Sequence, residues 1–273
     1  LLGLGGRQIY RAEMPGPMKD SRLTPRIKET AKVLWTVYVV LTVLCLLAYR
    51  AAGMGWIDAL VHAFTTMGLG GFSSHDASIG FYDSPAIETV AIVFMLIAGI
   101  NFATHFLAWR DRGIAAYRKD PEAITYLFLL LGSVVLIGGY LWLHDVYPDL
   151  ATAIRFAAFN TISIATTTGY STTDYGAWPS LAPLWLLFLG TFAACSGSTG
   201  GGIRMIRAIV LYRQIYRDMV RMLHPNAITP VKVAGQVIPG RIMFGVLAFF
   251  FAWVATLVVA TLALAALGLA PLT

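Results

Sequence analysis

The sequence is short of charge: Asp, Glu, Lys and Arg together supply 12% of its 273 residues, against 58% hydrophobic residues. With a mean hydropathy of +0.70, this scarcity excludes an ordinary soluble domain and implies burial in a bilayer. Cysteine is scarce as well. Cys45 and Cys195 stand far apart in apolar or glycine-rich sequence, with no metal-ligand spacing around them and no disulfide framework to join. The polar loops lack paired carboxylates, a nucleophile beside a base and a metal-ligand cluster, which leaves a membrane enzyme with an outer-face active site as the weakest of the function classes. A cleavable leader is not visible and there is no initiating Met. The opening residues, LLGLGGRQIYRAEMPGPMKD, pass quickly into polar, Pro-containing sequence, so the chain is expected to be a piece of a longer protein.

What is present in quantity is apolar length. A helical span needs about 20 apolar residues, and five stretches approach that: 33–49, 86–109, 124–143, 181–212 and 242–267, the fourth interrupted by glycines. The expected fold is therefore an all-α integral membrane one. Basic residues set its orientation. They cluster before the first span (Arg7, Arg11, Lys19, Arg22, Arg26, Lys28, Lys32), between the second and third (Arg110, Arg112, Arg118, Lys119), and around and after the end of the fourth (Arg204, Arg207, Arg213, Arg217, Arg221, Lys232, Arg241). The alternate connections hold only Arg50 and Arg155, so the basic segments are cytoplasmic and the two glycine-bearing connections face outward. The net charge of +6 is thus mainly a topology signal. A nucleic-acid surface would instead place these cations on one soluble module with interleaved aromatics, and no nucleic-acid partner is expected.

The two outward connections nearly repeat each other. TTMGLGGFSSHD, at 65–76, returns as TTTGYSTTD at 166–174. A shift of 98 residues carries Gly71 onto Gly169, Phe72 onto Tyr170, Ser73 onto Ser171, Ser74 onto Thr172, Asp76 onto Asp174, Pro85 onto Pro183 and Gly99 onto Gly197. A unit of helix, outer loop and helix has been duplicated in parallel orientation, and membrane repeats of this kind surround a shared pathway. Each loop opens with an apolar run, 56–67 or 150–166, that is long enough for a few helical turns but too short and polar to cross. These runs suit re-entrant pore helices, each followed by an extended return through Gly-Phe-Ser-Ser or Gly-Tyr-Ser-Thr. Non-helical backbone at membrane depth survives only where it is buried in protein or lines water. Glycine allows backbone angles that turn carbonyls toward an axis, carbonyls can replace a cation's hydration shell, and the negative C-terminal end of each pore helix favours a cation. One such loop taken alone would read as a turn. Two that agree residue by residue read as a filter, with backbone carbonyls of Gly71 and Gly169 as cation ligands and Gly70, Phe72, Ser73, Thr168, Tyr170 and Ser171 around them; Thr172 lines or braces the same site.

Other polar residues have two readings. Asp76 and Asp174 either draw cations to the outer mouth or close local turns. His62 and His75 are expected at the interface rather than on a metal, since no carboxylate or cysteine stands at ligand spacing. Asn101 and His105, on one face deep in the second span, should face the bundle or the pore. The glycine break in the fourth span, CSGSTGGGIR at 195–204, predicts an unwound, movable loop formed by Ser196, Gly197, Ser198, Thr199, Gly200, Gly201 and Gly202, gating the path beneath the filter. Close helix packing through small residues is its alternative.

TTMGLGGFSSHDASIG, GINFATHF, ATTTGYSTTDYG, CSGSTGGGIRMIR and IYRAEMPGPMKD together resemble the TrkH branch of the Trk/Ktr/HKT superfamily of potassium transporters, over essentially the whole chain. The resemblance implies four tandem repeats of helix, re-entrant pore loop and helix around a pseudo-fourfold, K+-channel-like pore. In this chain 1–32 would close the first repeat and supply a cytoplasmic linker, 33–109 would be the second repeat, 110–123 a linker, 124–212 the third repeat, 213–241 a linker and 242–273 the first helix of the fourth. The family's filter glycines fall on Gly71 and Gly169, and its intramembrane gating loop on 196–202. Also implied are gated K+ uptake across the inner (plasma) membrane, a homodimer, a cytosolic nucleotide-binding regulatory subunit of the TrkA kind and no cofactor. A sodium-coupled or sodium-permeable relative would share the same glycines. The family's first and fourth pore loops are not in this chain, which is therefore not expected to conduct alone. One glycine per loop offers few stacked carbonyl rings, so K+ selectivity should be weaker than in longer filters.

Overall fold

A computed structural model describes residues 27–224, 226, 229–233 and 236–268; the expected close of a preceding repeat, within 1–26, lies outside them. Two compact units, Leu1–Ile206 and Arg207–Thr273, divide the chain.

The first unit holds the expected repeat 33–109 and that of 124–212 as far as Ile206. Its opening span, α1 (Ile27–Ala51), is free of Gly and Pro, and it stops where Gly53 takes φ +109° and the amides of Gly53 and Met54 close back on the carbonyls of Arg50 and Tyr49. The short helix α2 (Trp56–Met67), over the first of the expected re-entrant runs, follows. Helix α3 (Pro85–Ala98) starts on a proline that needs no amide partner in the first turn. It was expected to run unbroken through 109, but α4 (Phe102–Arg110) leaves it at a bend of 92°. Asn101 causes the break locally, since its side chain accepts the Ala103 amide and starts a new helix.

After the short α5 (Ala115–Lys119), α6 (Pro121–Leu143) is capped by Asp120, whose carboxylate accepts the Glu122 amide, and α7 (Leu150–Ala165) by Asp149, which accepts the Thr152 amide. Gly138 lets α6 and α7 touch: a Cβ there would sit 2.9 Å from Ile154 Cγ1. Helix α8 (Leu181–Phe192) ends well before the predicted 212, and the chain stays irregular until α9 (Met205–Leu223). The break expected over 195–204 is therefore present. Helices α2 and α7 coincide with the predicted re-entrant runs, and α7 is too short to span alone.

A core of Tyr49, Met54, Met67, Ile79, Met95, Phe159 and Tyr170 draws residues from both repeats, while Ile137, Leu141, Trp178 and Leu186 form a second cluster within the later repeat. Arg155 of α7 also clamps the two together. Its guanidinium donates to both oxygens of Glu88, at 2.8 and 2.6 Å, and to Asp83 at 3.0 Å. Glu88 is nearly fully buried, so this fork-to-carboxylate pair satisfies a charge that the apolar interior would otherwise reject.

In the second unit α9 continues past the expected end of the span at 212, with Arg213, Arg217 and Arg221 on its length. A two-stranded antiparallel hairpin, β1 (Lys232–Val233) and β2 (Gln236–Val237), stands in what the sequence suggested was linker. The spanning helix α10 (Gly240–Ala266) is exposed in the chain along most of its length, as suits a lipid-facing or partner-facing helix.

Candidate functional site

The two outer loops share one backbone, not merely similar letters. At the end of α2 the amides of Gly68, Leu69 and Gly70 donate to the carbonyls of Phe64, Thr66 and Thr65. At the end of α7 those of Thr166, Thr167 and Thr168 donate to Ile162, Ile164 and Ser163, which is the same set after the shift of 98. Both are Schellman ends, whose pivotal residue must be left-handed. Here that residue is not glycine: Leu69 has φ +50° and Thr167 φ +63°. Each costs about 1–3 kcal/mol relative to a relaxed backbone. Two residues further on, Gly71 at φ +66° and Gly169 at φ +89° repeat the positive sign. An alternation of this kind, left-handed at every second residue, lets neighbouring carbonyls face the same side instead of opposite sides.

The two loops meet edge to edge. A Cβ on Gly71 would lie 2.0 Å from the Thr168 carbonyl oxygen, so only glycine allows this approach. Further out, the Gly80 amide donates to the Ser171 carbonyl at 3.1 Å and the Ser171 amide to Ser78 Oγ at 3.3 Å. On the other edge, a Cβ on Gly169 would meet nothing within 4 Å in this chain.

Side chains of the loops point mostly away from each other and into support. Tyr170 is fully buried and runs into the neighbouring repeat, where its hydroxyl bonds Thr65 and reaches Thr66 Oγ1 at 3.2 Å, with Tyr49 behind Thr66 at 2.8 Å. Its carbonyl accepts Ser163 Oγ at 2.7 Å. Phe72, its counterpart, is 75% exposed. Thr168 is buried and its hydroxyl pairs with Thr166 at 2.7 Å. Among the described residues no donor reaches the carbonyls of Gly70, Gly71, Thr168 or Gly169.

Beneath the loops lies 193–204, fixed at several points. Thr199 Oγ1 donates to the Met67 carbonyl at the base of α2 (2.9 Å), and the Gly201 amide donates to Thr167 Oγ1 at the base of α7 (2.8 Å). The Ser196 and Ile206 amides both donate to Oε1 of Glu122, each at 3.0 Å, so one buried carboxylate ties the two ends. Arg204 reaches the carbonyls of Cys195 and Ser198. This segment also rests on the break in the first repeat: the Cys195 amide donates to the Gly99 carbonyl and the Phe102 amide to the Gly197 carbonyl. Gly197 needs to be glycine twice over, with φ +73° and Asn101 Oδ1 only 2.6 Å from where a Cβ would stand.

Other predicted residues fall as follows. His62, expected at the interface, is buried against Tyr49, Tyr82 and Tyr170. His75 stacks on Phe81 with ring centroids 3.7 Å apart. Asn101 and His105 face the bundle, the latter held between Tyr117 Oη and the Ile97 carbonyl. Asp174 closes a turn on the Gly176 amide, and both it and Asp76 are exposed. The support from Glu122 and Tyr49 was not foreseen. A glutamate two residues before an apolar stretch was the available signal for the first; nothing in the letters marked the second.

A family model for TrkH, described as a cation transport protein, matches residues 1–270. The chain belongs to the TrkH family. It is 49% identical over 254 residues to the Trk system potassium uptake protein TrkH of Halomonas elongata, a match covering 93% of this chain and 52% of that protein. The TrkH of Escherichia coli K12 is 44% identical over 259 residues, covering 95% and 54% respectively. Among solved structures, the potassium transporter TrkH from Vibrio parahaemolyticus superposes with a TM-score of 0.86 at 41% identity, over 90% of this chain and 53% of that one. The chain thus spans about half the length of the TrkH relatives it matches. The all-α, multi-pass membrane architecture with re-entrant helices is that of the TrkH family.

Proposed function

We propose that the protein to which this chain belongs takes up K+ across the cytoplasmic membrane through a gated, channel-like pore. The carbonyls of Gly70, Gly71, Thr168 and Gly169 replace part of the ion's hydration shell, and 196–202 obstructs the path below until it is displaced. One observation carries this: two loops 98 residues apart adopt the same left-handed alternation at 69/71 and 167/169, and their intervening carbonyls have no donor among the described residues. Unpaired carbonyls at membrane depth are costly unless something replaces water around them. A dehydrated cation does so. The aimed C-terminal ends of α2 and α7 add negative potential at the same place.

Within this reading Tyr170 braces rather than binds, because its carbonyl is taken by Ser163. The many ties on 193–204 make the gate a latched segment and not a slack one. Displacing it means breaking the Thr199 and Gly201 contacts to the two pore helices. The resemblance extends the proposal to two copies of the chain and a cytosolic nucleotide-binding regulatory subunit of the TrkA kind, and the relatives are named as parts of a Trk system.

The test is rubidium uptake with sodium competition, in cells lacking their own potassium uptake and supplied with the regulatory subunit. The full-length parent and its Gly169→Ser variant are compared at equal membrane abundance. Saturable uptake that sodium barely inhibits, and whose preference collapses in the variant, is expected. Equal inhibition by sodium in the parent would move the assignment to a sodium-permeable transporter. Absence of uptake by well-inserted parent protein would overturn the pore.

A further inference from the structure

His62 in α2 and Asn160 in α7 occupy the same place under the shift of 98 residues, and both are fully buried. Each turns back on its own helix. His62 Nδ1 lies 2.8 Å from the Asp58 carbonyl and Asn160 Nδ2 2.9 Å from the Phe156 carbonyl, in both cases four residues earlier. A carbonyl only accepts, so His62 Nδ1 carries the proton and Nε2 of the neutral ring is an acceptor. The hydroxyl of Ser73, 3.0 Å from Nε2, donates to it. In the other repeat Asn160 Nδ2 donates to Thr172 Oγ1 at 3.0 Å, while Oδ1 accepts the Thr172 amide at 3.4 Å. Ser73 stands two residues after Gly71, and Thr172 three after Gly169. Two different side chains thus do one job at one position: they fasten the chain to its own pore helix just after the filter.

We infer that His62 and Asn160 are positioning residues for ion selectivity, holding the return limbs so that the carbonyls of 70–71 and 168–169 keep the spacing that suits K+. The inference rests on the pore proposed above. It follows from where those carbonyls get their support. They have no hydrogen-bond donors among the described residues, so their positions are set by the chain on either side. Before them stand the Schellman ends of the pore helices. After them the first side-chain ties back to the same pore helix are Ser73–His62 and, beyond the Ser163 contact to Tyr170, Thr172–Asn160. Without such a tie the limb could move inward around a smaller ion, and discrimination that depends on cavity size or carbonyl geometry would fall.

The experiment uses the full-length parent with its regulatory subunit in cells lacking other potassium uptake. It reads rubidium uptake, its inhibition by sodium, and membrane abundance. In His62→Ala the rubidium-over-sodium preference should fall about fivefold, the worth of one neutral hydrogen bond, at unchanged abundance. Asn160→Ala should act in the same direction. Adding Ser73→Ala to His62→Ala should cause no further fall, because the pair acts as one. His62→Gln can still place an amide where Nε2 stood and should keep the preference, while His62→Leu fills the space with no polar atom and should lose it. If His62→Ala does not accumulate, the Gln and Leu variants decide the matter, and equal preference in the two overturns the inference. A selective parent whose His62→Ala is equally selective overturns it too, and leaves the pore standing. A parent that takes up no rubidium removes the pore and this inference together.

Discussion

The helix after the outer loop is broken in both repeats, but not in the same manner. In the first repeat the chain turns through 92° over 99–101 and Asn101 immediately caps a new helix. In the second the corresponding break opens into 193–204, which passes under both pore helices before α9 begins. Gly99 and Gly197 mark the same place under the 98-residue shift, and the backbone bonds Cys195–Gly99 and Phe102–Gly197 join the two breaks directly. The compact break therefore serves as the bed on which the extended one lies. The repeated break is compact in one copy and longer and glycine-rich in the other, where it is tied to the base of both short helices.

The sharpest way to test the inequality of the repeats is at Gly71 and Gly169, the proposed filter glycines. Gly71→Ala would drive a Cβ into the Thr168 carbonyl at 2.0 Å, and backbone cannot give way as a flexible side chain can. Loss of folded protein from the membrane is expected. Gly169→Ala carries the strain of φ +89° but meets no atom within 4 Å in this chain, so the protein should accumulate with altered selectivity. Quantifying each variant in membranes separates the two. Equal loss would mean that a further loop packs on Gly169 as Thr168 packs on Gly71.

Glu122 offers the next largest effect. Replacing it with Ala leaves the Ser196 and Ile206 amides without their acceptor and should cost about 3 kcal/mol, at roughly 1–3 kcal/mol for each buried donor. Glu122→Gln retains a carbonyl oxygen at the same place and should lose much less. Thermal unfolding of the full-length protein in detergent measures both. If the second break needs its glutamate and the first does not, Asp120→Ala, which removes only a cap and a Thr104 contact, should shift the midpoint less than Glu122→Ala. Thr199→Val should cost about 1 kcal/mol, and by freeing the latch at Met67 it should raise uptake under conditions that favour the closed state.

Much of this arrangement was legible in the letters because hydropathy, glycine and repetition act locally. The spans α1, α6 and α10, the pore helices α2 and α7, and the break over 195–204 all follow from run length and helix breakers within a few residues. The bend at 99–101 was hidden. A single Gly-Ile-Asn inside an apolar run is compatible with a continuous helix; the Asn101 cap turns the chain there, and the Phe102 amide, bonded to the Gly197 carbonyl nearly a hundred residues away, holds the bend in place. The same holds for His62. Its letter suggested an interface, and only the fold encloses it among Tyr49, Tyr82 and Tyr170 and hands it the Ser73 hydroxyl. Long-range partners, added to the local Asn101 cap, decide those residues.

The smallest effect, and the one that separates the repeats at their outer mouths, concerns the paired aspartates. Both aspartates are exposed, but Asp174 accepts the Gly176 amide at 3.0 Å and so closes its own turn, whereas Asp76 has no hydrogen bond or ion pair among the described residues. Asp174→Ala should therefore lower stability by about 0.5–1 kcal/mol and leave the half-saturating rubidium concentration unchanged. Asp76→Ala should do the reverse: its unfolding midpoint stays put, while half-saturation rises at low ionic strength, because an exposed carboxylate near the mouth concentrates cations through a field that salt screens. Repeating the uptake in high salt should erase the Asp76 effect. A half-saturation shift of equal size in both variants would show that a carboxylate engaged in a turn still attracts ions, and that the two mouths act alike.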